Sequence, residues 1–420
     1  MPPERRKSTL SVAAVWFGFP MIVTCAIFGG ILAAMLGFQQ ALVAITLGNL
    51  VLMLYVGALS YLSGEKGLSF ALISDRVFGR IGYIIPSAFL ATVVIGWFAF
   101  QTGLTGLTVH QSYGWNEKLS TLIAGVVFIA VTFVGIRALA WLGMVAAPMF
   151  VLLSLVALWL IHSGDGLGGV WGYQGVTGGA GAMTIGAGIT LVVATFADAG
   201  TMTGDFTRWA KNGRSAVVAA MSAFPVANFL AFLVGAVIVA SGAITDPATN
   251  GGNFLPIVAK GHGWFLSLIA FLFIFVNLGS VCTHSLYNGA VGWSHILGSR
   301  MRVLTLILGV LGTIAALAGI WSHFLDWLNL LGVFVPSIGA IIIADQFFFR
   351  RYAEARNASP ARWTAFAAWA AGATAAGVVH YLAPQYVEVL VGMGVAAVSY
   401  AALTAIALQF GGRRVAAEVH

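Results

Sequence analysis

The 420 residues are 60% hydrophobic and only 8% charged, against about 25% charged in soluble domains, which excludes a soluble globular protein. The formal net charge of +7 would suit an anionic partner, but the basic residues sit in short stretches between apolar runs, so nucleic acid is excluded as a partner. Cys25 and Cys282 are the only cysteines; both fall inside apolar runs, which argues against a disulfide framework.

Apolar runs of about 20 residues, enough to cross a bilayer, recur along the whole chain. Hydropathy predicts twelve spans, roughly over 11–36, 39–61, 83–108, 119–136, 139–162, 184–206, 216–242, 263–291, 302–320, 325–349, 362–382 and 386–410. Arg5, Arg6 and Lys7 before the first run resemble the start of a signal peptide. That run is too long and lacks a small-x-small cleavage site, so it is read as the first span. An even number of spans puts both termini on one side. All of the 20 Lys and Arg residues except Lys118 and Lys260 then fall on that side, which the positive-inside bias makes cytoplasmic. The expected environment is the lipid bilayer of the cytoplasmic membrane, with no soluble domain and no obligatory protein partner.

Span 1 contains Gly18 and Pro20. Proline removes an intrahelical hydrogen bond and clashes with the preceding turn. Five spans later, span 6 carries Thr195, Phe196, Asp198, Gly200, Thr201 and Thr203 within ten residues. An ionised Asp at mid-membrane costs roughly 2.5–3.5 kcal/mol on insertion scales and normally faces a protein interior or a wet cavity. Kinks at Pro and Gly are common in membrane helices. Interrupted segments at matching places in two halves, however, point to the binding site of an inverted-repeat transporter.

Span 3 holds Trp97 and Gln101, four residues apart and so on one helix face. An indole plate beside an amide that both donates and accepts suits a planar heterocycle, with Phe196 as a second plate. Span 8 is unusually polar, with Asn277, Ser280, Cys282, Thr283, His284 and Ser285. The carbonyl of Asn277 and the hydroxyl of Ser280 could serve a monovalent cation. His284 could form a proton-linked pair with Asp198. Asp205 reads as a local ion pair with Arg208, and Asp345 as one with Arg350. The stretch from Gly64 to Gly79 reads as an amphipathic loop or short helix. Spans 11 and 12, rich in Ala, Gly and Val, read as close-packed scaffold. Gly392 and Gly394 match part of a dinucleotide fingerprint, but inside a span without strand–turn–helix context they carry no such meaning. No nucleophile elbow, zinc-binding His pair or phosphate loop is present, so no enzyme is expected, and no cofactor.

At these residues the chain resembles the nucleobase–cation symporter family, and within it the cytosine permease branch. The resemblance covers essentially the whole chain. It is densest at Gly48-Asn49, Gly96 to Phe98, Ala199 to Thr201 with Asp205, Phe206 and Arg208, and Val335, Pro336 and Gly339 with Ile343 to Asp345 before Arg350, Arg351 and Tyr352. It implies an all-α integral membrane protein of twelve transmembrane helices, helices 1 and 6 broken, in a five-plus-five inverted repeat. The repeats would be residues 11–162 and 184–349, with two additional helices over 362–410 and cytoplasmic termini at 1–10 and 411–420. It also implies alternating access and uptake of a nucleobase-type heterocycle with Na⁺ or H⁺ as coupling ion. By position, Trp97 and Phe196 would sandwich the ring, and Gln101 matches an amide of hydantoin-transporting relatives. Asp198, Gly200, Cys282 and His284 complete the expected substrate site. Gly18 and Ile22 would offer carbonyls to a cation, with Asn277 and Ser280. The chain departs from sodium-coupled members at Val281, where they place a second hydroxyl, so protons are expected to replace or assist sodium. Three other cargoes stay open: a hydantoin or allantoin, a thiamine-precursor pyrimidine, and an amino acid.

Overall fold

A computed structural model describes residues 1–164, 166–176, 183–349 and 360–417. Lipid offers a backbone no hydrogen bonds, so a spanning segment closes its own as a helix. Among the described residues the chain forms helices and one isolated bridge, Lys7 with Ala210. The first half comprises α1 (Thr9–Gly18), α2 (Val23–Leu36), α3 (Phe38–Lys66), α4 (Phe70–Phe78), α5 (Ile84–Tyr113), α6 (Glu117–Val134) and α7 (Ile136–Ser163). The second comprises α8 (Ile185–Ala194), α9 (Ala197–Thr201), α10 (Gly204–Thr207), α11 (Gly213–Met221), α12 (Asn228–Ala240), α13 (Pro247–Asn250), α14 (Leu255–Ala259), α15 (Trp264–Leu297), α16 (Met301–Leu317) and α17 (Phe324–Phe348). Two more helices, α18 (Trp363–Leu382) and α19 (Glu388–Ala417), follow.

Among the described residues nine helices are long and apolar enough to cross a membrane, and the pair α1–α2, bent by 55°, makes a tenth if it counts as one span. The spans expected over 184–206 and 302–320 are not single long helices: the first is divided into α8, α9 and α10, and the second is α16, of 17 residues. The stretch from Gly64 to Gly79 contains α4, whose buried face is Phe70, Ile73, Val77 and Phe78. Hydropathy reads residues 243–262 only as a connection, yet α14 there buries Leu255 and Val258 against α5, α7 and α15. Its short apolar face is too brief for a span and becomes part of the core.

The halves interleave. α2 packs on α12, α5 on α15, and α3 on both α8 and α11, so the interrupted helices are held inside the bundle. At the α2–α12 crossing the backbones touch: a Cβ on Gly235 would collide with the Ala26 carbonyl, and one on Gly29 with the Phe232 carbonyl. Overpacking of this kind costs about 1–3 kcal/mol. Gly235→Ala is therefore expected to lower the melting temperature of the purified protein by several degrees. Gly57→Ala, at a site with nothing within 4 Å, is expected not to. Equal melting of the two variants would mean that the crossing is looser than it looks.

α18 and α19 pack on each other and on α17. Asp345 of α17 ties them in: its carboxylate accepts from Tyr400 Oη at 2.6 Å and Gln346 Nε2 at 2.5 Å, and lies 3.6 Å from the Arg362 guanidinium. The ion pair expected with Arg350 involves a residue outside the described ones, as do Arg351 and Tyr352; the described cationic partner is Arg362, which reaches Asp345 from the start of α18.

Candidate substrate site

The site begins at the two breaks. Between α1 and α2, Pro20 has no N–H to continue the helix. Residues Phe19 to Ile22 turn instead through short-range bonds, Met21 N to Gly18 O at 3.3 Å and Ile22 N to Pro20 O at 2.8 Å. That leaves the Val23 N–H and the Met21 carbonyl without helical partners, and the Asn277 side chain takes both. Its Oδ1 accepts from Val23 N at 2.9 Å, and its Nδ2 donates to Met21 O at 2.9 Å and to Ala146 O at 3.5 Å. The second break follows α8 at Thr195 and Phe196, where Phe196 leaves the helical region at φ −129°. The Thr195 hydroxyl folds back onto the Leu191 carbonyl at 2.8 Å, and α9 restarts at Ala197.

Between the breaks lies a cavity lined by Phe19 and Ile22 at the first break, by Val94 and Trp97 of α5, and by Thr195, Phe196, Asp198, Ala199, Met202, Asp205 and Phe206 at and beyond the second. Val281, His284, Ser285 and Asn288 of α15 complete it. The empty space between these walls totals about 590 Å³, its mouth included, of which about 40 Å³ admits the centre of a water-sized sphere. The cavity is thus narrow. No ring contact joins Trp97 to Phe196 among the described residues; the two face the cavity separately. Trp97 is edge-on to Phe324 (4.9 Å between centroids) and to Phe100 (6.1 Å). Phe196 leans on Phe19 (5.9 Å) and Phe224 (5.2 Å).

Asp198 is 2% exposed. Its carboxylate meets the Trp97 side chain and the backbone N–H groups of Asp198 and Ala199. A buried charge needs such donors, and the cavity side is left for an incoming one. The exposure of the lining is uneven. Ile22, Trp97, Thr195, Phe196 and Asp198 are buried, while Met202, Asp205, Phe206 and Asn288 are half-buried, so the mouth lies toward the face that bears the N-terminus. Toward the far face Phe324, the first residue of α17, stacks on Phe100 at 3.4 Å and on Phe28 at 5.7 Å. Three rings close that exit.

Of the substrate residues expected from sequence, the structure brings Trp97, Phe196, Asp198 and His284 to the cavity wall. Gln101 is fully buried one turn beyond Trp97; its Oε1 accepts from Thr24 Oγ1 at 2.6 Å, and its Nε2 has no partner among the described residues. Gly200 does not line the cavity: it lies on the opposite side of α9, where a Cβ would strike Val56 of α3. Cys282 also faces away, its thiol 3.6 Å from Thr102 Oγ1 in an apolar cluster with Phe98 and Phe128. Asp205 lines the mouth and accepts from the Phe70 N–H of α4 at 3.3 Å. No contact within 4 Å joins it to Arg208 among the described residues; the Arg208 guanidinium lies over the Trp209 ring, 5.8 Å from its centroid, yet its charge still acts on Asp205.

The cation residues converge on the first break. Ile22 lines the cavity, and Gly18 and Ser280 both adjoin Gly143 of α7. Side-chain oxygens for a hard cation are few there: Ser280 supplies one hydroxyl and Val281 beside it is apolar. The side-chain amide of Asn277 is spent on the backbone of the break; the main-chain carbonyl expected as a ligand is a separate group.

Sequence reasoning missed Asn288, although it follows His284 by four residues on the same face of α15. Phe324 and Thr24 gave no signal, being ordinary residues of apolar runs.

Over residues 1–403 the chain matches the model of a family described as permeases for cytosine/purines, uracil, thiamine and allantoin. It is 30% identical over 410 residues to the cytosine permease of Escherichia coli (strain K12), covering 97% of this chain and 93% of that one. It is 24% identical over 368 residues to the hydantoin permease of Microbacterium maritypicum, covering 83% and 74% of the two chains. Among solved structures its fold is similar to that of Mhp1, a nucleobase-cation-symport-1 family transporter, in a closed conformation with bromovinylhydantoin bound (TM-score 0.77, 19% identity, 97% of this chain and 94% of that one). It is also similar to a Na⁺-coupled sialic acid symporter in a substrate-bound outward-open state (TM-score 0.69, 13% identity, 94% and 89%). A multi-pass helical bundle broken at the cavity and these whole-length matches lead to one conclusion: the chain belongs to the family of permeases for cytosine/purines, uracil, thiamine and allantoin.

Proposed function

We propose that the protein is a cation-coupled symporter that imports a nucleobase-type heterocycle, an aminopyrimidine such as cytosine before others, across the cytoplasmic membrane, with the N-terminal face inside. The observation that carries this reading is the lining of the cavity: two aromatic residues, Trp97 and Phe196, with the Asp198 carboxylate in the same narrow space. Aromatic walls suit a flat ring. Asp198 would accept from an exocyclic amino group, and a charge-assisted bond of that kind is about twice as strong as a neutral one. The free Nε2 of Gln101 lies just beyond, a donor for a ring carbonyl if the side chain turns; this supports hydantoin-like rings as a second class of cargo. In this reading Phe28, Phe100 and Phe324 form the barrier on the outer side, and the cavity is caught open to the cytoplasm.

The donor set at the first break supports protons as coupling ion over sodium, with Asp198 and His284 the titratable groups of the cavity wall. One coupled charge moved through about 100 mV gains roughly 2.3 kcal/mol, or ~40-fold accumulation, so no ATPase is needed.

The test is a binding screen of bases, hydantoins and amino acids on purified protein, followed by uptake into proteoliposomes. A pH gradient is expected to drive uptake of the bound heterocycle without Na⁺. Asp198→Asn is expected to weaken cytosine binding by roughly 10-fold to 150-fold, the value of a hydrogen bond to a charged group, and to weaken uracil binding less. Tight binding of a zwitterionic amino acid, or full transport on a Na⁺ gradient alone with Asp198→Asn unchanged, would sink the proposal.

A further inference from the structure

The cavity and the Asp345 network leave one buried acid unused. Glu388, in the first turn of α19, is 5% exposed. Its Oε2 lies 2.7 Å from Nδ1 of His380 in the last turn of α18. His380 is the outer member of the pair, its side chain 27% exposed against 6% for that of Glu388. The other oxygen, Oε1, is buried with no partner among the described residues, and so is Thr190 Oγ1 of α8. Oε1 points at α17: a Cβ on Gly332 would lie 3.1 Å from it and 3.2 Å from Thr190 Cγ2. His380 is the one titratable group that acts on Glu388 among the described residues. α8 presents Thr190 and Ala194 there, and α17 presents Gly332, none of them ionisable.

We infer that Glu388 and His380 form a proton-binding site, loaded from the far face through His380, whose occupancy decides how closely α8 and α17 pack on α19. The inference deepens the proposed function and rests on its proton-coupled form. With one proton on the pair, the two side chains carry no net charge. Without it, a negative charge with a bare oxygen faces Gly332 and the Thr190 methyl, and an uncompensated buried charge is strongly disfavoured. Close packing of α8 and α17 therefore holds the proton; parting them admits water to Oε1 and lets it leave. One helix ends at the substrate cavity and the other starts behind its wall, against Trp97. α8 runs directly into Thr195 and Phe196, and α17 begins with Phe324, the ring that closes the far exit. Linkage is reciprocal, so a proton that favours the closed packing is itself held more tightly when the cavity is shut above.

The test uses the full chain in proteoliposomes, radiolabelled cytosine as the probe, and the pH of the far-face solution varied between about 6 and about 8. Wild-type uptake is expected to fall about tenfold toward the alkaline end, the scale of a typical coupling. Glu388→Gln, which keeps the hydrogen bond to His380 and loses the titration, is expected to show a shallower profile, the part set by Asp198 and His284 alone, with unchanged cytosine affinity. A second measurement needs no heterocycle. Infrared difference spectra of the substrate-free protein across the same pH range are expected to contain a protonated-carboxyl component that Glu388→Gln removes and Asp198→Asn leaves in place. If cytosine proves not to be cargo, the proposed substrate falls and this infrared component alone decides the inference. A flat wild-type profile, a Glu388→Gln profile that follows wild type, or a carboxyl signal that Glu388→Gln leaves undiminished overturns it.

Discussion

Trp97→Ala is expected to raise the Kd for the transported heterocycle by roughly 5-fold to 150-fold, because stacking of a base on an aromatic residue contributes about 1–3 kcal/mol by alanine substitution. The larger end of that range is the better expectation. Trp97 is 6% exposed and does more than present a plate. Its ring supports Phe324 edge-on at 4.9 Å, and its side chain meets the Asp198 carboxylate. Truncation therefore removes the stacking surface, one donor to a buried acid and a prop of the closed exit at the same time. Trp97→Phe should recover most of the stacking but not the contact to Asp198, leaving a loss of about tenfold, the scale of one charge-assisted hydrogen bond. Equilibrium binding of a radiolabelled heterocycle to purified protein measures both variants without relying on tryptophan fluorescence. If Trp97→Ala binds as tightly as wild type, the ring of the cargo does not lie on this indole.

Much of this site was legible because a membrane makes some residues conspicuous. An acid in the middle of a span, a Trp far from the interfacial belts and a Pro in the first helix are each hard to place against lipid. Trp97, Asp198 and the break at Pro20 are where those rules point. Helix geometry explains several of the errors. Gly200 and Cys282 each lie two residues from a cavity residue, Asp198 and His284 respectively, about 200° around the helix at 3.6 residues per turn. The α9 and α15 faces that carry them turn to Val56 and to Phe98, although Ala199 and Val281 beside them line the cavity. Gln101 shares a face with Trp97 but sits one turn along, where Thr24 claims its oxygen. Phe324 was beyond reach. A Phe at the start of an apolar run has no local mark, and its position over Phe100 depends on how α17 crosses α5. The same holds for α14, whose few apolar residues become core only because α5, α7 and α15 leave a gap for them. The side chain of Asn277 was the remaining surprise. The sequence pointed only to its main-chain carbonyl, as a cation ligand, and gave no sign that its side-chain amide engages the backbone of another helix.

That amide leads to the second large effect. Asn277→Ala is expected to destabilise the protein by roughly 2–6 kcal/mol, since each of two buried backbone groups left without a partner costs about 1–3 kcal/mol. The groups are the Val23 N–H and the Met21 carbonyl, each 2.9 Å from the amide, around a side chain that is fully buried. A water entering the vacated space could recover part of this, which favours the lower half of the range. The loss should not be confined to stability. Met21 and Val23 flank Ile22, which lines the cavity, so the wall of the cavity should loosen and heterocycle affinity should fall with the melting temperature. Asn277→Asp separates the two roles of the amide. A carboxylate can still accept from Val23 N–H but cannot donate to Met21, and it adds a buried charge; it should therefore fare no better than alanine. Asn277→Gln keeps both functions on a longer stem and tests whether reach matters. Thermal unfolding in detergent, with and without the heterocycle, reads stability and affinity together. Should Asn277→Ala melt and bind like the wild type, Pro20 and the local turn would suffice to hold the first break, and α15 would be only a neighbour to it.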